Sequence, residues 1–130
     1  MRSAKQQANV DQALAMLVDL ATGKLDRNRF SSDATWWSNT GQSFSLDAFQ
    51  QLLDVLHAAT IGGIVTKTGL IIAQADSVVI EGTSDVPLTS GRRYTNRYLF
   101  LIHVRHGRIS EVREYNDTAH VFDVFNLGSQ

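Results

Sequence analysis

Between Ser3 and Ala21 the apolar residues Val10, Leu14, Leu17 and Ala21 recur at the spacing of one helix face, and Ser3 with Gln6 forms a capping box ahead of them. Gly23 supplies the left-handed residue that ends such a helix. Asp26 to Phe30 reads as a second, short helix capped by Asp26, and DATWW (Asp33 to Trp37) as a short strand. A third helix starts at Ser45, with Asp47 in its first turn and Phe44 and Phe49 placed as a hydrophobic staple. Leu46, Phe49, Leu53 and Leu56 form its buried stripe, and Gly62-Gly63 closes it. Strand patterns then take over at Leu70 to Ala75, Ser77 to Thr83, Arg92 to Val104 and Arg108 to Tyr115. The loop around Asp85 to Gly91, with the only Pro, joins the middle pair. Thr118 to Phe125 predicts a last short helix that packs Phe122 and Phe125 back on the body. Asp117 suits its N-cap, and Asp33 a local turn or cap. The sum is an α+β fold in one domain over 1–130. Three N-terminal helices pack in a strongly curved antiparallel sheet that forms a cone, with a short C-terminal helix.

The stretch Arg92 to Tyr115 breaks the rule that a solvated hairpin shows one clean polar face. Tyr94, Asn96, Tyr98, Phe100 and Ile102 share one face of its first strand, while Leu99 and Leu101 stand on the other. Each side therefore covers something. Two turns fit Arg105-His106-Gly107. A two-residue turn needs positive φ at both His106 and Gly107 and places Glu114 and Tyr98 on opposite faces. A three-residue loop with a Gly bulge needs it only at Gly107 and is the expectation here. That register sets Phe100 opposite Val112, Tyr98 opposite Glu114 and Asn96 opposite Asn116. The reverse face holds Leu99, Leu101, Ile109 and Tyr115 between Arg97, Glu111 and Arg113. The first face has the make-up of a ligand cavity and the second that of a homodimer interface.

Composition narrows the classes. A net charge of −1 offers no basic field for nucleic acid or an anionic membrane, and the arginines from Arg92 to Arg108 read as rim and interface charge. No apolar run reaches the roughly 18 residues of a membrane helix. The start of the chain lacks a secretory signal, so cytoplasmic residence is the default expectation. With no Cys and no His pair at HExxH spacing, neither a metal nor a cofactor is expected.

On the cavity face, Glu114 is the expected proton-transfer group, because burial raises a carboxyl pKa toward the working range of an acid or base. Tyr98 beside it can hold a substrate oxygen. Asn96 and Asn116 either orient a ligand or satisfy each other across the strands. Trp36, Trp37, Phe44, Phe49, Phe100, Tyr94 and Val112 are expected as wall, at least one of the two Trp pointing inward because strand neighbours face opposite ways. His57, a turn beyond Leu53, either reaches the cavity as a base or is a buried, hydrogen-bonded His.

The run GRRYTNRYLFLIHVRHGRISEVREYNDT resembles the closing hairpin of the SnoaL-like group in the nuclear transport factor 2-like superfamily. FSSDATWW, from Phe30 to Trp37, resembles that group's early helix-to-strand junction. The resemblance implies a cone-shaped α+β fold, dimeric through the sheet, around an apolar cavity. Its members include ketosteroid isomerases, polyketide cyclases, limonene-epoxide hydrolases, scytalone dehydratases and proteins without catalysis. Carry-over of the isomerases' residues is negative: their catalytic Asp falls on Ser38, their second Asp on Phe100 and their helix-one Tyr near Met16. The hydrolases' Arg-x-Asp pair falls on Gly82 and Ser84, while their remaining Asp corresponds to Glu114. Two functions follow as expectations. One is an isomerase, cyclase, dehydratase or hydrolase working on an apolar molecule through Glu114. The other is a dimeric carrier or sensor without catalysis.

Overall fold

In the computed structural model, which describes residues 1–127, helix α1 spans Ala4–Thr22. The Ser3–Gln6 capping box opens it and Gly23, at φ 83°, closes it. Residues Arg27–Arg29 form a single 3₁₀ turn, with the Asp26 side chain accepting from the Asn28 N–H. Strand β1 (Phe30–Ser38) and the short β2 (Ser43–Ser45) lead into α2 (Leu46–Ala58), whose N-cap is Ser45. Strands β3 (Lys67–Gln74), β4 (Ser77–Pro87), β5 (Arg93–Arg105) and β6 (Arg108–Tyr115) follow, and α3 (Thr118–Phe125) comes last. Two N-terminal α-helices thus replace the three expected: the stretch after Asp26 makes one turn and becomes strand at once. Asp33, expected in a turn or cap, lies exposed within β1.

The six strands form one curved sheet in the order β2-β1-β6-β5-β4-β3. It is mixed rather than antiparallel throughout, because β1 runs parallel to β6. That pairing joins residues some 75 apart in sequence, such as Trp36 and Val112. On the inner face lies the row Ala73, Val78, Ile102, Val112, Trp36 and Phe44, each paired with the next across five neighbouring strand pairs. The adjoining row runs Ile71, Ile80, Phe100, Glu114 and Ser38. Both helices press their apolar stripes, Val10, Ala13, Met16 and Leu20 from α1 with Phe49 and Leu53 from α2, into this concave side.

The β5–β6 hairpin departs from the expected register in an informative way. Its turn has two residues, His106 at φ 53° and Gly107 at φ 77°, with Arg105 paired to Arg108. Such a turn matches the twist of the strands, and α1 holds it: the Gln12 Nε2 donates to the Gly107 carbonyl at 2.7 Å. Two residues on, the ladder slips. Val104 faces Ile109 but His103 faces Glu111, so Ser110 is an extra residue, a β-bulge. The bulge reverses the facing of everything beyond it. Glu114 therefore stands on the same side as Tyr98 despite the two-residue turn, but it pairs with Phe100, and Val112 pairs with Ile102. Ile109, expected outside, is fully buried.

Candidate functional site

A cavity of about 110 Å³ opens between the concave sheet, α2 and α3. Trp36, Phe49, Phe100, Tyr94 and Tyr98 line it with apolar residues of α2, and Val121 and Phe122 of α3 border it. Trp36 is fully buried and stacks on Phe49 with ring centroids 3.9 Å apart, and Phe44 meets Phe49 edge-on. An apolar cavity of about 150 Å³ takes benzene. This one is smaller, so it takes at most a single ring, or the end of a larger molecule that emerges at the mouth.

Glu114 is the one carboxyl on that wall among the described residues. The Trp36 Nε1 donates to its Oε1 at 3.0 Å, and the Asn116 Nδ2 donates to its Oε2. The residue keeps some exposure, yet burial is the largest influence on the carboxyl and raises its pKa above 4.5, while the two donors pull the other way. Asn116 is itself fixed through its backbone. Asn39, in the β1–β2 turn, donates from Nδ2 to the Asn116 carbonyl (3.0 Å) and accepts from the Asn116 N–H at Oδ1 (3.3 Å). The Asn39 N–H also donates to the Glu114 carbonyl at 3.1 Å. A side chain thus continues the ladder where β6 ends.

The Tyr98 hydroxyl lies 2.7 Å from that of Tyr94 and makes no hydrogen bond to Glu114. Asn96 orders this pair. Its Oδ1 accepts from the N–H groups of Arg97 (2.8 Å) and Asp117 (2.9 Å), which fixes the amide so that Nδ2 faces the Tyr94 oxygen at 2.8 Å. Both phenols have raised pKa values, first because they are buried, then because of each other or the Glu114 charge. The phenols stay protonated throughout the range in which a carboxyl titrates, and Glu114 is the acidic group on this wall.

The structure brings Glu114, Tyr98, Tyr94, Phe100, Trp36, Phe49 and Asn116 together on one cavity and leaves four expected residues off it. Trp37 faces outward against Tyr115, with the Arg113 guanidinium 4.1 Å from its ring. Val112 is core beneath the wall, fully buried. Asn96 lies behind the tyrosines, joined to neither Asn116 nor the cavity, where it anchors the start of α3. The His57 ring packs on Gly23, where a Cβ would collide with it, and beside Gly63, where a Cβ would strike the Ala21 carbonyl; its Nδ1 is enclosed without a partner. Among lining residues the sequence did not suggest, Thr66 is notable: its hydroxyl is enclosed and unpartnered. It precedes β3 in an irregular stretch with no periodicity to give its direction. No group of metal-ligating side chains occurs among the described residues, and none of their helices is long and apolar enough to cross a membrane.

These features define a curved α+β sheet wrapped on helices around a small lined cavity. The model of the SnoaL-like domain family matches residues 15–112, and the chain belongs to that family. Solved structures agree on the fold. A candidate SnoaL-like polyketide cyclase from Jannaschia sp. CCS1 has a TM-score of 0.81 at 14% identity, covering 99% of both chains. AclR, a candidate hydroxylase from Streptomyces galilaeus, gives 0.78 at 13% identity over 96% of this chain and 89% of its own. TerC, co-crystallised with polyporic acid, gives 0.74 at 18% identity over 92% of this chain and 98% of its own. No curated protein sequence matches. The family match ends at Val112, ahead of Glu114 and Asn116.

Proposed function

We propose that the protein takes an apolar small molecule into this cavity and moves a proton on it with Glu114, as an isomerase, cyclase, dehydratase or hydrolase. The observation that carries this is the Glu114 carboxyl itself. It sits on an apolar wall with a raised pKa, both oxygens held by donors from Trp36 and Asn116. Gln would satisfy the buried Trp36 N–H as well as Glu does; only the carboxyl adds a proton that can be gained and lost. Tyr98, with Tyr94 behind it, faces the substrate as a neutral donor and holds an oxygen on which charge develops. No cofactor enters this scheme. The fold likeness to a candidate cyclase and a candidate hydroxylase supports small-molecule chemistry as the class.

The protein works in this reading as a homodimer through its outer sheet face, where Leu70, Ile72, Leu99 and Tyr115 are exposed.

Nitrobenzisoxazole tests the proposal, because a base in an apolar pocket opens its ring by removing one proton and the phenolate released is coloured. Wild type opens it at a rate that rises with pH through the Glu114 pKa. Glu114→Gln lowers that rate by about 10²-fold or more. Equal rates in the two proteins remove Glu114 from the chemistry. Toluene, which carries no reactive group, reports cavity binding alone: toluene binding to both proteins together with equal ring-opening rates supports the second reading, a carrier without catalysis.

A further inference from the structure

Strand β6 ends at Tyr115, opposite Leu99, so the part of β5 ahead of Leu99 has lost its neighbour on that side. Its ladder donors still need partners, and two side chains supply them. The Asn96 Oδ1 accepts from the Arg97 N–H at 2.8 Å, and the His120 Nε2, from α3, accepts from the Thr95 N–H at 3.2 Å. The His120 ring also lies nearly parallel to that of Tyr94, with centroids 5.8 Å apart. These bonds fasten α3 to the sheet edge. Asn96 clasps the cap residue Asp117, His120 hooks the first turn, and Arg92 meets Asp123 in the second turn at 2.7 Å. Beyond them, Phe125 leans on Tyr94 and Val124 is the one buried residue of the helix. A helix of eight residues does not persist alone, so these contacts decide where it lies. Its Val121 and Phe122 border the cavity.

We propose that α3 is a lid on the cavity and that His120 is its pH-sensitive latch. The lid rests on the ligand-binding reading above; the latch does not. An imidazole accepts at Nε2 only while that nitrogen carries no proton, and the imidazolium would aim a donor at the Thr95 donor. His is the side chain whose charge ordinarily changes between about pH 5 and 8. Protonation therefore breaks the hook and leaves the exposed Thr95 N–H to water. None of the charged groups nearby replaces the lost bond. On α3 itself, Asp117 accepts from the His120 backbone N–H at 3.2 Å and Asp123 is paired with Arg92, so both offer an imidazolium counter-charge. From β5 the ring meets the Tyr94 phenol, which burial keeps neutral. Asp85 of β4 is bound to Arg93 at 2.8 Å, and Glu114 of β6 acts on Tyr94, the stacking partner. The device holds an apolar molecule at neutral pH and lets it leave faster in acid.

Hydrogen exchange read by mass spectrometry tests the latch without a ligand. Every protein carries Glu114→Gln, so that this carboxyl cannot titrate. With His120 in place, protection of the α3 amides, corrected for intrinsic exchange, is expected to fall by roughly three- to tenfold from about pH 8 to about pH 5. His120→Gln, whose amide oxygen accepts from the Thr95 N–H at either pH, is expected to hold its protection level. His120→Phe keeps a ring on Tyr94 without the acceptor and is expected to be loose at both. No fall with His120, or an equal fall in His120→Gln, overturns the latch. Toluene reads the lid: its dissociation rate, from NMR exchange, is expected to rise in acid by the same factor with His120 and to stay level in His120→Gln. Loosening of α3 beside an unchanged toluene rate overturns the lid. Toluene that binds none of these proteins sinks the ligand-binding reading and the lid with it, while hydrogen exchange still decides the latch.

Discussion

Glu114 and Trp36 satisfy each other, and the sign of the Glu114 pKa shift gives a stability prediction. A carboxyl whose folded pKa lies above its unfolded value stabilises the fold fully below the unfolded value, here near 4.5, and that contribution is lost as pH rises through the folded pKa. Above the unfolded value the shift becomes a net cost to the fold. Glu114→Gln, which stays neutral, is therefore expected to raise the melting temperature relative to wild type at about pH 8 and to lose that advantage toward about pH 4. Melting curves across this range check it; an advantage that grows toward acid contradicts the direction of the shift. Asn96 has the opposite character. Its amide holds two backbone N–H groups and the Tyr94 hydroxyl, so Asn96→Ala leaves buried donors unpaired and costs at least about 2 kcal/mol by denaturant unfolding. A loss below about 0.5 kcal/mol, the level of an ordinary surface change, refutes that role.

Elements were legible in the sequence wherever a local rule decided them. The Ser3 box, the Ser45 and Asp117 caps, and the alternation in β5 need only neighbours within a turn or two, and each stands where expected. What a neighbour cannot report was missed. The parallel β1–β6 pairing joins distant segments, and the Asn39 clamp depends on it. The His106-Gly107 turn is braced by Gln12 of α1, far away in sequence, and nothing in RISEVREY announces an extra residue at Ser110. The expected face of Glu114 thus came with the wrong partner, because a tighter turn and a bulge each changed the parity and together restored it. The bulge is testable on its own terms. Deleting Ser110 leaves the turn intact but sends Val112 and Glu114 outward, so the cooperative unfolding transition is expected to vanish. Ser110→Ala keeps the count and costs no more than about 0.5 kcal/mol. A folded deletion variant with wild-type stability would show that the slip is not what sets the facing.

At the scale of the molecule, the same sheet that lines the cavity has a second face, rich in apolar residues, on which none of the described helices packs. Ile72, Val79, Leu101, Arg113 and Trp37 pair in one row across five strands, and Leu99 with Tyr115 begins the next. Leu70 and Ile72 are about half or more exposed, at 62% and 49%, which is a poor arrangement for a lone sheet but an apt centre for an interface. The charges on this face, Arg97, Glu111 and Arg113, carry both signs, as a patch that meets its own copy through a two-fold axis requires. The cavity opens on the other side, between the sheet and the helices, so two copies can join without blocking either mouth. Sedimentation at about 10 μM is therefore expected to give a dimer, the concentration being far above the dissociation constant of a standard-sized interface. Ile72→Glu with Leu99→Glu puts four like charges at its centre and is expected to yield monomers with an unchanged circular dichroism spectrum. Because Phe100 and Glu114 sit one residue from the interface on the facing side of the same strands, those monomers test whether the dimer also stiffens the wall: toluene should bind them several-fold more weakly. Monomeric wild type at this concentration, or charged variants that remain dimers, would place the contact elsewhere.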